Sequence, residues 1–352
     1  MRAVVVGTGF GARVHVPALR MAGIDVVALV GRDAARTHRR GDRLGVEGYT
    51  SLAPAIELAG AAGEPVVVTI ATPPHTHALL AMEATSAGCH VICEKPMALD
   101  AAEARAMRTA AARADVLAVL GHEFRWAPHR ATLGRALAEG AIGRPRLITM
   151  VEHVDLIVSP ATKMPEWWFD TERGGGWLGA SGSHVLDQLR AWAGDVASVS
   201  GSLGVVAPRA GGADDTFSAR LTLASGAEAV VQQTAAAWGP AISVCRVVGD
   251  GGALWLDGTS VWRADSSGVH EVPVPEDLQM PSMAPANGDH HRFTHLELGP
   301  WSRLAEAVHK AILGEAAPVD PTPATFDDGV AVMEIIDAIR RSAAADGKRI
   351  AL

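Results

Sequence analysis

The chain has 352 residues, 48% of them apolar and 20% charged, with a formal net charge of -8. That length suits two domains with separate cores, and the acidic balance, with no concentrated basic stripe, excludes a nucleic-acid backbone or an anionic membrane surface as partner and leaves a small molecule. No apolar run is long enough to cross a bilayer, and the first residues lead directly into a strand and a glycine turn without an export signal, so the expectation is a soluble, cytoplasmic protein. Cys89, Cys93 and Cys245 are too few and too scattered for a disulfide framework or a zinc site, and no metal is expected.

Arg2–Val6 is a β run that empties into Gly7-Thr8-Gly9-Phe10-Gly11-Ala12 and a helical stretch. This is the G-x-G-x-x-G/A dinucleotide pattern: Gly7 makes the tight turn, Gly9 lets the backbone approach a pyrophosphate, and Ala12 permits close helix packing. Phe10 and Gly11 belong to the same cofactor-facing turn, and Pro17 should distort the helix after about one turn. A second β run, Val26–Val30, completes a βαβ spacing and ends in Gly31-Arg32-Asp33. An NAD-selective site places an acidic residue there for the ribose, whereas small Gly31 and cationic Arg32 suit a 2′-phosphate, so NADP is preferred over NAD. The competing reading has Asp33 on the ribose and Arg36, Arg39 and Arg40 as a solvated helix face.

The next buried-strand pattern, VVVTIA, runs into a double-proline loop in which Ala71, Thr72, Pro73 and His77 are expected to border the nicotinamide ribose. His75 and His77, two apart with no third ligand, read as exposed imidazoles at a helix start rather than a metal pair. Val91–Cys93 then ends in Glu94-Lys95-Pro96. Proline cannot continue a strand, so both charges fall at a strand's C-terminal edge, where open α/β sheets bind ligands. A lysine in that place can hold a substrate oxygen, stabilise charge on it and exchange a proton. A helix from Ala101 to Arg113 and a strand from Val116 to Leu120 complete a doubly wound parallel sheet, giving a Rossmann domain over 1–122 and a second α/β domain over 123–352.

In the second domain Ala197 to Val272 is mostly β alternation broken by turns, which predicts a large, mostly antiparallel sheet. One face takes helices and the other needs a cover, for which a homodimer or homotetramer is expected. Residues 272–293 form a long loop ending in the adjacent His290 and His291, read as solvent-exposed, and two helices, Trp301–Leu313 and Thr325–Ala343, close the chain. Adjacent Trp167 and Trp168 should point to opposite sides, one of them toward substrate.

GTGFGARVHVPAL, VTIATPPHTH, AGCHVICEKPMA, FRWAPHRATL with AIGRPRL, and GGGWLGASGSHVLDQLRAW together resemble the Gfo/Idh/MocA oxidoreductases, relatives of glucose-fructose oxidoreductase and inositol dehydrogenase, nearly end to end. The resemblance implies a Rossmann domain, a C-terminal sheet domain carrying the substrate site and often the dimer interface, and a catalytic lysine at Lys95 working with an Asp and a His four residues apart. It further implies cofactor contacts from Glu94 and Arg125 and a substrate contact from Glu123. For Arg125 the competing reading is an interdomain ion pair. His184 stands at the histidine position, but Ala180 occupies the aspartate position; Asp187 reads as structural. The leading expectation is an NAD(P)-dependent dehydrogenase of a sugar, polyol or related hydroxy or oxo compound, with Lys95 and His184 catalytic. A reductase of C=C or C=N bonds, a non-catalytic dinucleotide sensor and a redox-assisted lyase or glycosidase are the alternatives.

Overall fold

The computed structural model describes residues 1–159, 161–207, 210–281, 294–316 and 320–352. His290, His291 and most of the loop before them lie outside the described residues. The chain divides into two compact units: Met1–Ala98, Ala102–Ala127 and Met280–Val330 form the first, and Leu99–Ala101, Pro128–Gln279 and Ala331–Leu352 the second. The boundary read at residue 122 therefore lies near the first major crossing only, because the chain later returns to the first unit and leaves it again.

In the first unit the apolar runs become strands β1 (Arg2–Val6), β2 (Asp25–Val30), β3 (Glu47–Tyr49), β4 (Val66–Ile70), β5 (His90–Cys93) and β6 (Ala118–Leu120). Parallel strands covered on both faces read as continuous Val/Ile/Leu runs, and β4 is buried at all five positions. Helices α1 (Val16–Met21), α2 (Ala34–Leu44), α3 (Leu52–Gly60), α4 (His77–Ser86) and α5 (Ala101–Ala114) lie between the strands along the chain. The order is β3-β2-β1-β4-β5-β6, which reverses between β1 and β4. Ligands of doubly wound sheets bind at that reversal, outside the strands' carboxyl ends.

The second unit carries α6 (Pro128–Ala138), β7 (Pro145–His153), α7 (Ser183–Ala193), β8 (Val196–Gly204), β9 (Thr216–Leu223), β10 (Glu228–Thr234), β11 (Ile242–Gly249), β12 (Ala253–Asp257), β13 (Ser260–Asp265) and β14 (Gly268–Val272). Among the described residues these make a sheet in the order β14-β13-β12-β11-β7-β10-β9-β8, with Ile350–Ala351 on its edge. All neighbours are antiparallel except β7 and β10. Alternation puts Ile148, Met150, Ala229, Val231 and Val247 on a buried face, and leaves Leu147, Val230, Ile242 and Val244 exposed on the other.

After β14 the chain returns to the first unit as α8 (Thr294–Ile312), and Ala324–Thr325 adds an antiparallel edge to β6. Trp301, Leu304 and Val308 of α8 pack into one core with Val5, Leu19, Leu29, Val67, Ile92 and Trp126. Trp301 is fully buried; an indole so placed contributes about 4–6 kcal/mol through its apolar area alone. The last helix, α9 (Phe326–Ala344), starts in the first unit and ends in the second.

Candidate active site

The glycine turn has the shape a dinucleotide needs. Gly7 has φ +128° and a Cβ there would collide with the Ala71 carbonyl, while a Cβ on Gly11 would lie 2.9 Å from Val5 Cγ1. Nothing lies within 4 Å of a Cβ position on Gly9, which leaves its exposed backbone open to a pyrophosphate. The turn feeds a π-helical segment, Gly11–His15, that runs into α1, so the start of a helical run follows the glycine turn directly, as in dinucleotide-binding folds. The distortion expected from Pro17 after about one turn takes the form of the π-helical turn just before it; Pro17 itself sits in the first turn of α1, where its missing N–H costs little.

Beyond β2, Arg32 is exposed. Asp33 caps α2, accepting from the Arg36 N–H at 2.8 Å, and its carboxyl is held below the usual range by that bond and by Arg36, Arg39 and Arg32. A Cβ on Gly31 would crowd the Thr8 and Thr37 side chains, so a larger residue there would have to displace them.

The loop after β4 departs from expectation at His77. Its ring is buried, with Nδ1 3.0 Å from the Pro96 carbonyl and Nε2 2.7 Å from the Thr72 carbonyl; burial lowers its pKa. His75 is exposed. His77 thus ties the Ala71-Thr72-Pro73 loop to the segment after Lys95 and is not an exposed imidazole. A helix start at His77 tilts its side chain back over the preceding turn, which closes the clasp.

Glu94 and Lys95 stand immediately beyond β5, one strand from the strand reversal. Glu94 is buried, and its Oε1 accepts from His15 Nε2 at 3.0 Å and from the Trp301 indole Nε1–H at 3.2 Å. The His15 ring stacks on Trp301 at 4.0 Å and meets Phe10 edge-on at 5.3 Å. The residue before the lysine is therefore bonded to the wide turn that follows the glycine loop. A Cβ on Gly121 would sit 2.5 Å from Glu94 Oε1, so a larger residue there would have to push the bonded carboxylate aside. Burial disfavours the Glu94 charge, but the His15 bond, the Lys95 ammonium and the Trp301 bond outweigh it and hold the carboxyl below its usual range.

Two more carboxyls share this environment. Burial, reinforced by the Glu94 charge, pushes the Glu123 carboxyl well above its ordinary value. Burial raises Glu297 of α8 to about 7, with Lys95 drawing it down and Glu94 pushing it up. Lys95 thus shares its surroundings with one carboxyl whose pKa is lowered and two whose pKa is raised, an arrangement suited to passing protons. Arg125 pairs with Asp328 at 3.5 Å and donates to the Thr322 carbonyl at 3.2 Å. Asp328 belongs to the same unit as Arg125. His15, Trp301 and Glu297 escaped the sequence reading; only the position of His15, three residues past the glycine motif, offered a signal.

In the second unit Glu166–Phe169 is a 3-10 turn, and the Trp167 and Trp168 rings lie side by side, 5.7 Å apart, with Trp168 6.1 Å from Trp177. Opposite orientations require extended backbone, which a turn does not supply. Ala180 and His184 are both buried; Ala180 lies in a π-helical segment, Leu178–Gly182, that leads into α7. Asp214 accepts the Leu178 N–H at 2.8 Å and supports this helix start.

Among the described residues no helix is long and apolar enough to cross a membrane, and no group of His, Cys, Asp and Glu could hold a metal. The sequence profile of an oxidoreductase family with an NAD-binding Rossmann fold matches residues 1–122, and that of the GFO/IDH/MocA C-terminal domain matches residues 131–255. An uncharacterized oxidoreductase of Synechocystis is 32% identical over 266 residues, 72% of this chain and 70% of that protein. The D-apiose dehydrogenase of Paraburkholderia graminis is 39% identical over 142 residues, covering 40% of this chain and 37% of that enzyme. A solved levoglucosan dehydrogenase in complex with NADH superposes with a TM-score of 0.84 at 25% identity, over 100% of this chain and 98% of that one.

Proposed function

This chain belongs to the Gfo/Idh/MocA family of NAD-binding oxidoreductases, and on that premise we propose that it moves a hydride between a nicotinamide and a hydroxyl-bearing carbon of a small sugar or polyol. The observation that carries the reading is Lys95 at the carboxyl edge of β5, one strand from the strand reversal, anchored through Glu94 to His15 and Trp301. Supporting it, relatives are named D-apiose, levoglucosan and inositol dehydrogenases.

The glycine turn would hold the pyrophosphate and the Ala71-Thr72-Pro73 loop the ribose beside the nicotinamide, which when bound supplies hydride acceptance or donation. Lys95 Nζ holds the reacting oxygen and exchanges its proton, the acids Glu123 and Glu297 store protons near it, and His184 serves as the second proton-handling group. The exposed Arg32, the crowded Gly31 and the capping role of Asp33 support a preference for NADP, against neighbours solved with NADH or NAD. A homodimer or homotetramer through the second sheet is supported by its exposed apolar face and by Trp255 stacked on Trp262, with Arg246 over the former at 4.9 Å. Three buried free cysteines support a cytoplasmic location, where thiols stay reduced.

Ala180 favours a second reading, reduction or oxidation of a C=C or C=N bond, in which Lys95 alone polarises or protonates. The test is hydride transfer to NAD and NADP, read at 340 nm over a panel of sugars and polyols, in the parent and in Lys95→Ala. Lys95→Ala should lower turnover by on the order of 10² with cofactor affinity nearly unchanged. Full activity in that variant, or no transfer to any polyol, overturns the reading.

A further inference from the structure

The turn that lacks a carboxylate at Ala180 has one delivered to it from the sheet. Glu152 lies on the helix-facing side of β7, in line with Ile148 and Met150, and its Oε2 accepts from the Ser181 hydroxyl at 3.4 Å and from Gln233 Nε2 of β10 at 2.8 Å. Glu152 and Gln233 are partners in the parallel register of β7 and β10, so their side chains stand next to each other on that face. A carboxylate only accepts, which turns the Gln233 amide nitrogen toward it and leaves Oε1 as the free end. Gln233 is 2% exposed, and its Oε1 has no hydrogen-bond partner among the described residues. Among the described residues both side-chain bonds that Glu152 accepts fall on Oε2, which leaves Oε1 able to accept. Four residues before Ser181, the Trp177 indole Nε1–H is likewise buried without an acceptor among the described residues.

Polar groups buried without partners are costly and call for an explanation. Unmet acceptors on the strand pair are what hydroxyl groups satisfy, since each hydroxyl gives one bond and takes others. A ligand of the C=C or C=N type with few hydroxyls would leave them unmet.

We propose that Glu152, Gln233 and Ser181 form a subsite that recognises adjacent hydroxyl groups of a sugar or polyol, supplying from β7 the carboxylate that Ala180 does not carry. The proposal rests on reading the Ala180–His184 turn as the substrate side of the site. It makes Glu152 and Gln233 determinants of specificity: a site built to bond a hydroxyl rejects an analogue without it far more strongly than an apolar site rejects a size change.

The test is calorimetric titration of the NADH-saturated protein with myo-inositol, levoglucosan and, as a ring with a single hydroxyl, cyclohexanol. The parent should bind at least one of the two polyols. Glu152→Gln and Gln233→Leu should each weaken that binding by about tenfold or more, the range for hydrogen bonds that involve a charged or buried partner, and Ser181→Ala by about threefold. Cyclohexanol binding and NADH affinity should stay within about twofold. Retained polyol affinity in Glu152→Gln and Gln233→Leu overturns the proposal, as does a parent that binds neither polyol; if a buried-site variant fails to fold, the half-exposed Ser181→Ala decides by the same criterion. A parent that binds polyol in this titration but reduces neither NAD nor NADP with that polyol at 340 nm would instead count against the dehydrogenase reading and leave the subsite standing.

Discussion

Replacing Glu94 separates its charge from its role as an acceptor, because both of its strong bonds end on one oxygen. His15 Nε2 and Trp301 Nε1 each reach Oε1, at 3.0 and 3.2 Å, while Oε2 lies 3.4 Å from the Lys95 backbone N–H. A hydrogen bond to a charged partner contributes about 1.5–3 kcal/mol, so Glu94→Ala, which strands two buried donors, should destabilise by about 3–6 kcal/mol, a large share of the roughly 5–15 kcal/mol typical of a folded protein. Glu94→Gln can put its amide oxygen where Oε1 was and keep both bonds at about half strength, but turns an NH2 toward the Lys95 N–H; about 2–3 kcal/mol is expected. Equilibrium urea denaturation followed by circular dichroism measures both. The difference between parent and Glu94→Gln must also depend on pH with a fixed sign. The folded-state pKa of Glu94 is depressed, so the parent's advantage is present above the unfolded glutamate value near 4.5 and is lost as pH falls through the folded value. Equal stabilities for the Ala and Gln variants, or an advantage that grows toward acid, would refute the reasoning.

Glu297 has the opposite sign: its folded pKa is raised to about 7, so the protein should lose stability as pH rises from about 4.5 to 7, by about 3 kcal/mol in all. Glu297→Gln should flatten that slope and stabilise at pH 8, and a thermal-melt series in which the slope survives would remove Glu297 as its source. Arg32→Ala should cut NADPH affinity about tenfold and spare NADH, consistent with loss of one charge-assisted phosphate contact; fluorescence titration showing tighter NADH binding, unaltered in the variant, would discard the NADP preference. Ala180→Asp should slow the native reaction, because the site is buried and the neighbouring Ser181 is already engaged by Glu152, so a second carboxylate enters without a partner. A faster Ala180→Asp enzyme in steady-state kinetics would contradict that.

Local pattern made the Rossmann half legible. Five-residue apolar runs, glycines at Gly7, Gly9 and Gly31, and prolines closing strands act over distances shorter than a turn, and they located β1, β2, β4 and β5 and the loops beyond them. What stayed hidden is set by partners distant in sequence. Glu47–Tyr49 is a strand because β2 offers it an edge, not because Glu-Gly-Tyr favours one. His77 read as exposed because its two carbonyl partners are a loop and a segment 19 residues on. The Trp167–Trp168 pair was misjudged from assuming extended backbone. Ala180 was legible as a missing carboxylate, whereas Glu152, 28 positions earlier, is joined to that turn only by the packing of β7 against it.

The late return of α8 has a consequence for biosynthesis. Residues up to 127 contain every parallel strand of the nucleotide-binding sheet, yet Trp301, Leu304 and Val308 are needed to close its core. At roughly 5–20 residues per second, the ribosome leaves roughly 10–40 s between release of β6 and release of α8. During that interval the nascent sheet carries an uncovered apolar surface and Glu94 lacks its indole partner, so chaperone occupancy on the growing chain should begin near β6 and fall once α8 emerges.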